Sequence, residues 1–490
     1  MAISLKALVE KRSNKVIFIE SDNDFVDVLF SFLTIPMGTI IRLACKHSVP
    51  LEIGCIKNLY ASVENADKRL FQTEGCREML LRPRNGVQSH CENLKLKINN
   101  GDCKNFKLKI NNGDPTRYFL CSKDCIRRNK LFSHYKDVLC ECGEPMNREI
   151  SLSVGKLKSS SPSNGGVFCK GLTRFIISDD FEVMPPVNSA VSSFLTKVGV
   201  TDANSTDEMT LNVGFDEVLN LLICSFVSKT PLTDILLKHK PEPNLNSKGV
   251  TQGICFKGQT AGETMNEEKN ISINLMVSKS KKIICYAEAG EDFVNLLFSF
   301  LTVPLGFILK EMQDSSSSTK GCIDQLYKSV QDLDEHYLKS NYHKEILLSP
   351  KLYPGFGDEN HLLGIEGASY YYAYYWSGDG YQEILTNDKT LIPYNMTAIP
   401  LKLKYCKSLG NYKSDAGFLS RPAMFTITDS LMIRPISPLF GVSVLNELKV
   451  QFADIEMQTV QVGKEEALRL LVTSFLCDSA LTSVFLSHIK

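Results

Sequence analysis

The residues with the most chemistry in them are cysteines, and they are unevenly placed. The chain has 490 residues and 16 cysteines; ten lie within the first 169 positions, and six from Cys91 to Cys142. In the run YFLCSKDCIRRNKLFSHYKDVLCECGEPM, Cys121 and Cys125 form a C-x3-C pair, Cys140 and Cys142 form a C-x-C pair, and Gly143 follows directly. Zinc takes four soft ligands in a tetrahedron, and two close cysteine pairs on separate turns supply them when a short hairpin brings the turns together. A glycine after the last cysteine lets the backbone turn tightly, with its N–H groups facing the sulfurs. The expectation is one structural zinc held by Cys121, Cys125, Cys140 and Cys142 on a zinc-ribbon-like hairpin. The spacing departs from the common C-x2-C form, so two other readings stay open: four small buried residues without metal, and a redox pair. Cys91, Cys103 or His134 could also replace one ligand.

The elements that must position this cluster belong to an internal duplication. Residues 25–41, FVDVLFSFLTIPMGTII, match residues 293–309, FVNLLFSFLTVPLGFIL, at 11 of 17 positions with an offset of 268. GCIKNLYASV at 54–63 meets GCIDQLYKSV at 321–330, and CREMLLRP at 76–83 meets HKEILLSP at 343–350. More loosely, RFIISDDFEVMPP at 174–186 lies opposite MFTITDSLMIRPI at 424–436, and VLNLLICSFVSK at 218–229 opposite ALRLLVTSFLCD at 467–478. The period is far too long for a solenoid, so the reading is two homologous domains. Residues 1–237 are the first repeat and 271–490 the second. Residues 238–270, rich in Pro, Gly, Asn and charge, are the linker.

Each repeat reads as α+β, with two strand-plus-helix sub-lobes. ALVEKRSNKVIFIES is two strands around a polar turn, and Phe25–Leu33 is a helix apolar on most faces, hence buried. Asp24 is the expected helix cap, with Asp27 at the third helical position. Pro36 and Gly38 should end or kink that helix. The pair FIISDDFEV and FDEVLNLLICSFV repeats the strand–helix idea. A Ser-Phe pair recurs at Ser31, Ser225, Ser299 and Ser474, a faint hint of an older fourfold relation.

The second repeat carries no cysteine between Cys322 and Cys406. The region opposite the cluster reads YYYAYYWSGDGYQEILTNDKTLIPYN, with Asp388 and Thr390 facing Cys140 and Cys142. The expectation is that Tyr370, Tyr371, Tyr372, Tyr374, Tyr375 and Trp376 fill the vacated space with aromatic area. A metal that one copy does without is structural rather than catalytic, and a closed four-thiolate shell leaves no position open for a substrate.

Upstream of the cluster, NLKLKINNGDCK is followed by NFKLKINNGD, a small separate doubling. Residues 93–136 hold eleven Lys/Arg against three Asp/Glu. This module reads as a solvated edge hairpin whose lysines block edge-to-edge pairing, or as a nucleic-acid or acidic-partner surface. Glu20 and Glu288, and Asp24 and Asp292, are equivalent in the two copies; strand ends and helix caps explain them more simply than a paired-carboxylate site. No phosphate-loop, dinucleotide, nucleophile-elbow or zincin pattern is present.

Lys+Arg and Asp+Glu number 55 each, so no global field advertises a nucleic-acid or membrane partner. The amino-terminal stretch lacks an apolar signal core, and no run approaches the ~20 apolar residues of a membrane helix. A cytoplasmic or nuclear protein is the expectation.

Taken together, SLKALVEKRSNKVIFIESDNDFVDVLFSFLTIPMGTIIRL, GCIKNLYASV, YFLC…CECGEPM and FIISDDFEVMP resemble the plant family called domain of unknown function 674. The resemblance covers almost the whole chain, second copy included, and extends to the Cys-x-Cys-Gly element of the first repeat. It implies no activity and no functional residues. The functional expectation is a zinc-stabilised, non-enzymatic interaction or scaffold protein with a protein partner. A nucleic-acid-associated protein using residues 93–142 is the alternative, and an enzyme with an unrecognised site comes third.

Overall fold

The computed structural model describes residues 2–46, 51–96, 118–153, 166–237, 270–353, 362–403 and 417–486, except for single positions and pairs inside those spans. Most of the lysine-rich doubling and nearly all of the linker lie outside the described residues.

Each repeat builds one five-stranded antiparallel sheet. In the first, the order is Thr206–Val213, Ile3–Glu10, Lys15–Asp22, Arg174–Ser178, Val183–Met184; in the second it is Ile455–Val462, Ile271–Ser278, Ile283–Gly290, Met424–Thr428, Ile433–Pro435. The two orders correspond strand for strand. The two strand-plus-helix units of each repeat therefore meet on one sheet. Alternation sets the faces: Ile3, Leu5, Ala7 and Val9 point into the core while Ala2, Ser4 and Lys6 point out.

The helix Asn23–Ser31 is buried at every position but Asp24. Its cap is Asp22, not Asp24: the Asp22 carboxylate accepts the Asp24 N–H at 3.1 Å. The strand runs straight into the helix, so the residue at the junction reaches the orphan N–H groups first. The helix gives way to a 3-10 turn, Phe32–Thr34, before Pro36. The four Ser-Phe serines share one role. Ser31, Ser225, Ser299 and Ser474 are buried at helix ends and donate their hydroxyls to the carbonyls of Val28, Leu222, Leu296 and Leu471, at 2.6–2.7 Å. A buried hydroxyl needs an acceptor, and a carbonyl one turn back is the closest one.

The repeats are not side by side; they exchange parts. The helix Ile56–Asn65 of the first repeat packs on the Ile433–Pro435 edge of the second sheet, and the helix Ile323–Asp332 of the second packs on the Val183–Met184 edge of the first. Ser62 Oγ accepts the Ile433 N–H at 2.9 Å, and Ser329 Oγ accepts the Val183 N–H at 2.9 Å. Phe71 bridges Leu419, as Leu338 bridges Cys169. Cys55 N–H reaches the Cys477 carbonyl at 2.9 Å, and Cys322 N–H reaches the Ser225 carbonyl at 2.8 Å. A side chain at Gly54 or Gly321 would collide with these carbonyls: an added Cβ would stand 2.7 Å from Cys477 O or 2.0 Å from Ser225 O. The reciprocity gives the molecule an approximate twofold axis, at which Pro36 and Pro304 face each other in an antiparallel bridge.

A third sheet joins the repeats again. Its order is Gly380–Thr386, Tyr370–Ser377, Ile399–Leu403, Leu131–Ser133, Tyr118–Leu120, Arg148–Ile150: three strands from the second repeat, then three from the first. The joint is parallel, with Lys402 opposite Leu131 and Leu403 opposite Phe132. A parallel bridge between Leu152 and Leu385, with the Ser153 N–H on the Leu385 carbonyl at 2.7 Å, closes the other edge. The result is a six-stranded barrel shared by both repeats. Tyr118, Leu120, Phe132, Tyr370, Tyr372, Leu385 and Leu401 form its apolar interior, separate from the main core.

Candidate metal centre

The four cysteines singled out from spacing are brought together on the outside of this barrel. Tyr118–Leu120 ends in Cys121, and Ser122 then caps the short helix Lys123–Asn129, its hydroxyl accepting the Cys125 N–H at 3.4 Å. Lys130, in the left-handed region at φ 53°, turns the chain into Leu131–Ser133. A two-stranded hairpin, Val138–Leu139 with Pro145–Met146, carries Cys140 and Cys142 on its turn. Gly143, at φ 89°, makes that turn possible, and its N–H donates to the Cys140 carbonyl at 2.9 Å.

Period-two alternation explains why the cluster lies outside the barrel. Tyr118 and Leu120 point in and Phe119 points out; Phe132 points in and Leu131 out. Phe119, Leu131 and Met146 form the apolar floor under Cys121, Cys125 and Cys140. Ile126, between the two faces, turns into the barrel interior.

The four sulfurs lie within 4.8 Å of one another. Cys125 is 3.2 Å from Cys140 and 3.4 Å from Cys142, and Cys121 is 3.5 Å from Cys142. All four are free cysteines, not a pair of disulfides. A tetrahedral zinc with Zn–S of ~2.3 Å sets its sulfurs ~3.8 Å apart, so small adjustments would admit an ion of that kind. Cys121, Cys125 and Cys140 are buried and Cys142 is exposed. Asn129 donates its amide to Cys125 Sγ at 3.2 Å and to Cys140 Sγ at 3.5 Å.

The thiols do not ionise alike. Burial and the neighbouring thiols push Cys125 up, and burial pushes Cys121 up. At Cys140 burial works the same way, but hydrogen bonds from Asn129, the backbone at Cys142 and the neighbouring thiols outweigh it and bring the group down to about 7. Bunched sulfurs resist simultaneous ionisation, and a bound cation removes that resistance. The arrangement is chemically a group that could hold one metal ion.

Of the three substitute ligands, Cys91 is elsewhere: it is buried in the main core, 4.0 Å from Thr34 Oγ1. Cys103 and His134 lie outside the described residues. Three residues of the second repeat's aromatic run belong to the shared barrel and do not fill a vacated metal site, while the side chains of Tyr375 and Trp376 lie outside the described residues. Tyr370 and Tyr372 line the shared barrel, and Tyr374 packs beside them under the Arg127 guanidinium at 4.6 Å. A strand that closes a barrel must face its bulk inward, whichever repeat it comes from. Asp388 lies outside the described residues.

In the first repeat the two equivalent carboxylates are each taken up by a cation. Glu20 meets Arg174 at 2.5 Å, and Asp24 meets Lys95 at 3.0 Å. Three other aspartates, Asp27, Asp179 and Asp429, hold backbone and hydroxyl groups in buried positions. Asp27 accepts N–H groups from Val167, Phe168 and Cys169, the last two at 2.9 and 2.8 Å. Burial raises its carboxyl above the ordinary range against the pull of those donors. Asn295 replaces it in the second repeat, accepting from Phe418 and Leu419 at 2.8 and 3.1 Å. Asp179 and Asp429 hold Thr233 and Thr482, whose hydroxyls in turn accept the N–H groups of Val16 and Ile284 at 2.8 Å. Burial lifts both carboxyls to about 6. An acid inside an apolar helix, and one kept at the same place in both copies, were the available signals.

Among the described residues, no helix is long and apolar enough to cross a membrane. No curated protein and no solved structure matches the chain. The profile of a protein family described as "Protein of unknown function (DUF674)" matches residues 1–102 and again residues 99–465. The two matches together cover almost the full length, and the chain belongs to that family.

Proposed function

We propose that the chain is a non-catalytic interaction or scaffold protein whose first repeat carries one structural zinc on Cys121, Cys125, Cys140 and Cys142. The observation behind this reading is the cluster itself: four sulfurs within 4.8 Å, three of them buried over an apolar floor. Four thiolates around one ion form a closed shell, which suits holding a fold and not activating a water. Thiolate softness favours zinc over magnesium or calcium.

Metal quantification on the purified protein, beside a Cys140→Ser/Cys142→Ser variant, tests it. About one zinc per wild-type chain and none in the variant is the expected result. Wild-type protein without metal, or a variant that keeps it, would overturn the reading.

A further inference from the structure

The four sulfurs bracket every strand that the first repeat gives to the barrel. Tyr118–Leu120 ends at Cys121, Leu131–Ser133 lies between Cys125 and Cys140, and Arg148–Ile150 follows Cys142. An ion on those sulfurs would pin all three strands at one common end, where Leu120 stands opposite Phe132 and Arg148.

The seams that close the barrel are short. One consists of Lys402 opposite Leu131 and Leu403 opposite Phe132, with the Lys402 N–H on the Lys130 carbonyl at 2.7 Å. The other rests on the Leu152–Leu385 bridge. Parallel pairings this brief do not hold themselves together; the strands must be ordered by something else. The links around the cluster lead across these seams. Arg148 donates through Nε to the Cys121 carbonyl at 3.2 Å, and its Nη1 pairs with Glu383 of the second repeat. Arg127, two residues after Cys125, lies over the Tyr374 ring. The five-stranded sheets depend on none of this. Their central pairings run over five to eight residues and they interlock through the exchanged helices.

We infer that the four-cysteine centre is a metal-dependent clasp on the barrel: with metal bound the repeats are joined there, and without it the barrel opens while both five-stranded sheets stay folded. The inference rests on the metal reading above. Opening would expose the Tyr118, Tyr370 and Tyr372 faces together, so metal state would set whether that aromatic surface is available.

Hydrogen–deuterium exchange on the full chain tests this, on protein of measured zinc content, before and after stripping with a chelator under reducing conditions. Amides of Leu131–Ser133, Gly380–Thr386 and Ile399–Leu403 should exchange at least ~10-fold faster once metal is removed, and recover on adding zinc back. Amides of Lys15–Asp22 and Ile283–Gly290 should not change. A Glu383→Gln variant, which cuts the link across the Leu152–Leu385 seam, should speed exchange at Gly380–Thr386 while keeping its zinc. Unchanged seam exchange in stripped protein would sink the clasp and leave the metal reading standing. Loosening of all sheets together would also sink it, since the metal would then hold the whole fold. A protein with no metal to strip would remove both readings.

Discussion

The hydroxyl of Ser62 accepts the N–H of Ile433 at 2.9 Å, across 371 residues of chain. Ser62 simultaneously donates to the Asn58 carbonyl at 2.7 Å, so its proton is committed and its lone pair faces the other repeat. Ser329 does the same for Val183. Each serine satisfies an edge-strand N–H that its own repeat leaves open. Replacing either with alanine strands a buried donor, and each change should cost about 1–3 kcal/mol in chemical denaturation. The two sites share none of these hydrogen-bond partners, so the double variant should show the sum. Ser31→Ala, which removes only a hydroxyl bonded back to its own helix, should cost under ~1 kcal/mol. Equal losses at Ser31 and Ser62 would contradict this account.

Asp27 and Asn295 do one job with different chemistry. Both accept backbone N–H groups from the loop before the fourth strand of their own sheet. Asp27→Asn should therefore fold with a loss of less than ~1.5 kcal/mol, whereas Asp27→Ala leaves three donors bare and should lose roughly 3 kcal/mol or more. Thermal denaturation of the two variants separates the outcomes.

Asp179 and Asp429 make stability depend on pH in an uncommon direction. Their folded carboxyls titrate at about 6, above the ordinary value of 3.8, so the folded state holds protons that the unfolded chain has released. Their favourable contribution is complete below the unfolded value and is lost as pH rises through 6. Asp179→Asn/Asp429→Asn should gain on the wild type between pH 4 and pH 8, by up to about 3 kcal/mol per site. Urea titrations across that range measure it. A constant difference between variant and wild type would mean that the two groups titrate normally.

Asn129 is the only described side chain outside the cluster shown donating to its sulfurs, and it touches two of them. Asn129→Ala should weaken zinc retention by about 10–100-fold, read by competition with a chromophoric chelator, with little change in far-UV circular dichroism. Unaltered retention would assign the amide to packing alone.

Much of the architecture was legible because duplication repeats it. The 25–41 and 293–309 runs announced two equivalent helices, and both formed, at Asn23–Ser31 and Glu291–Ser299. The four cysteines were legible because their spacing is local. The barrel was not. Its first-repeat strands are three residues each, too short to carry a period, and the pairing that joins them to the second repeat, Leu131 with Lys402, links residues far apart in the chain. The exchange of Ile56–Asn65 and Ile323–Asp332 was equally hidden, since an apolar helix face does not say whose sheet it covers. Asp27 was visible in an apolar helix, but its partners at Val167–Cys169 were not.

The exchanged helices also constrain how the chain is born. When the ribosome has finished the first sheet, its Val183–Met184 edge still waits for Ser329, and the Ile56–Asn65 helix waits for a strand at Ile433. Neither repeat can complete its core while the other is missing. The nascent first half must keep apolar surface from wrong partners for most of synthesis, which at ~5–20 residues per second is tens of seconds. A truncated transcript or an early stop in the second half would leave the first with its Val183–Met184 edge and its Ile56–Asn65 helix without the partners that cover them.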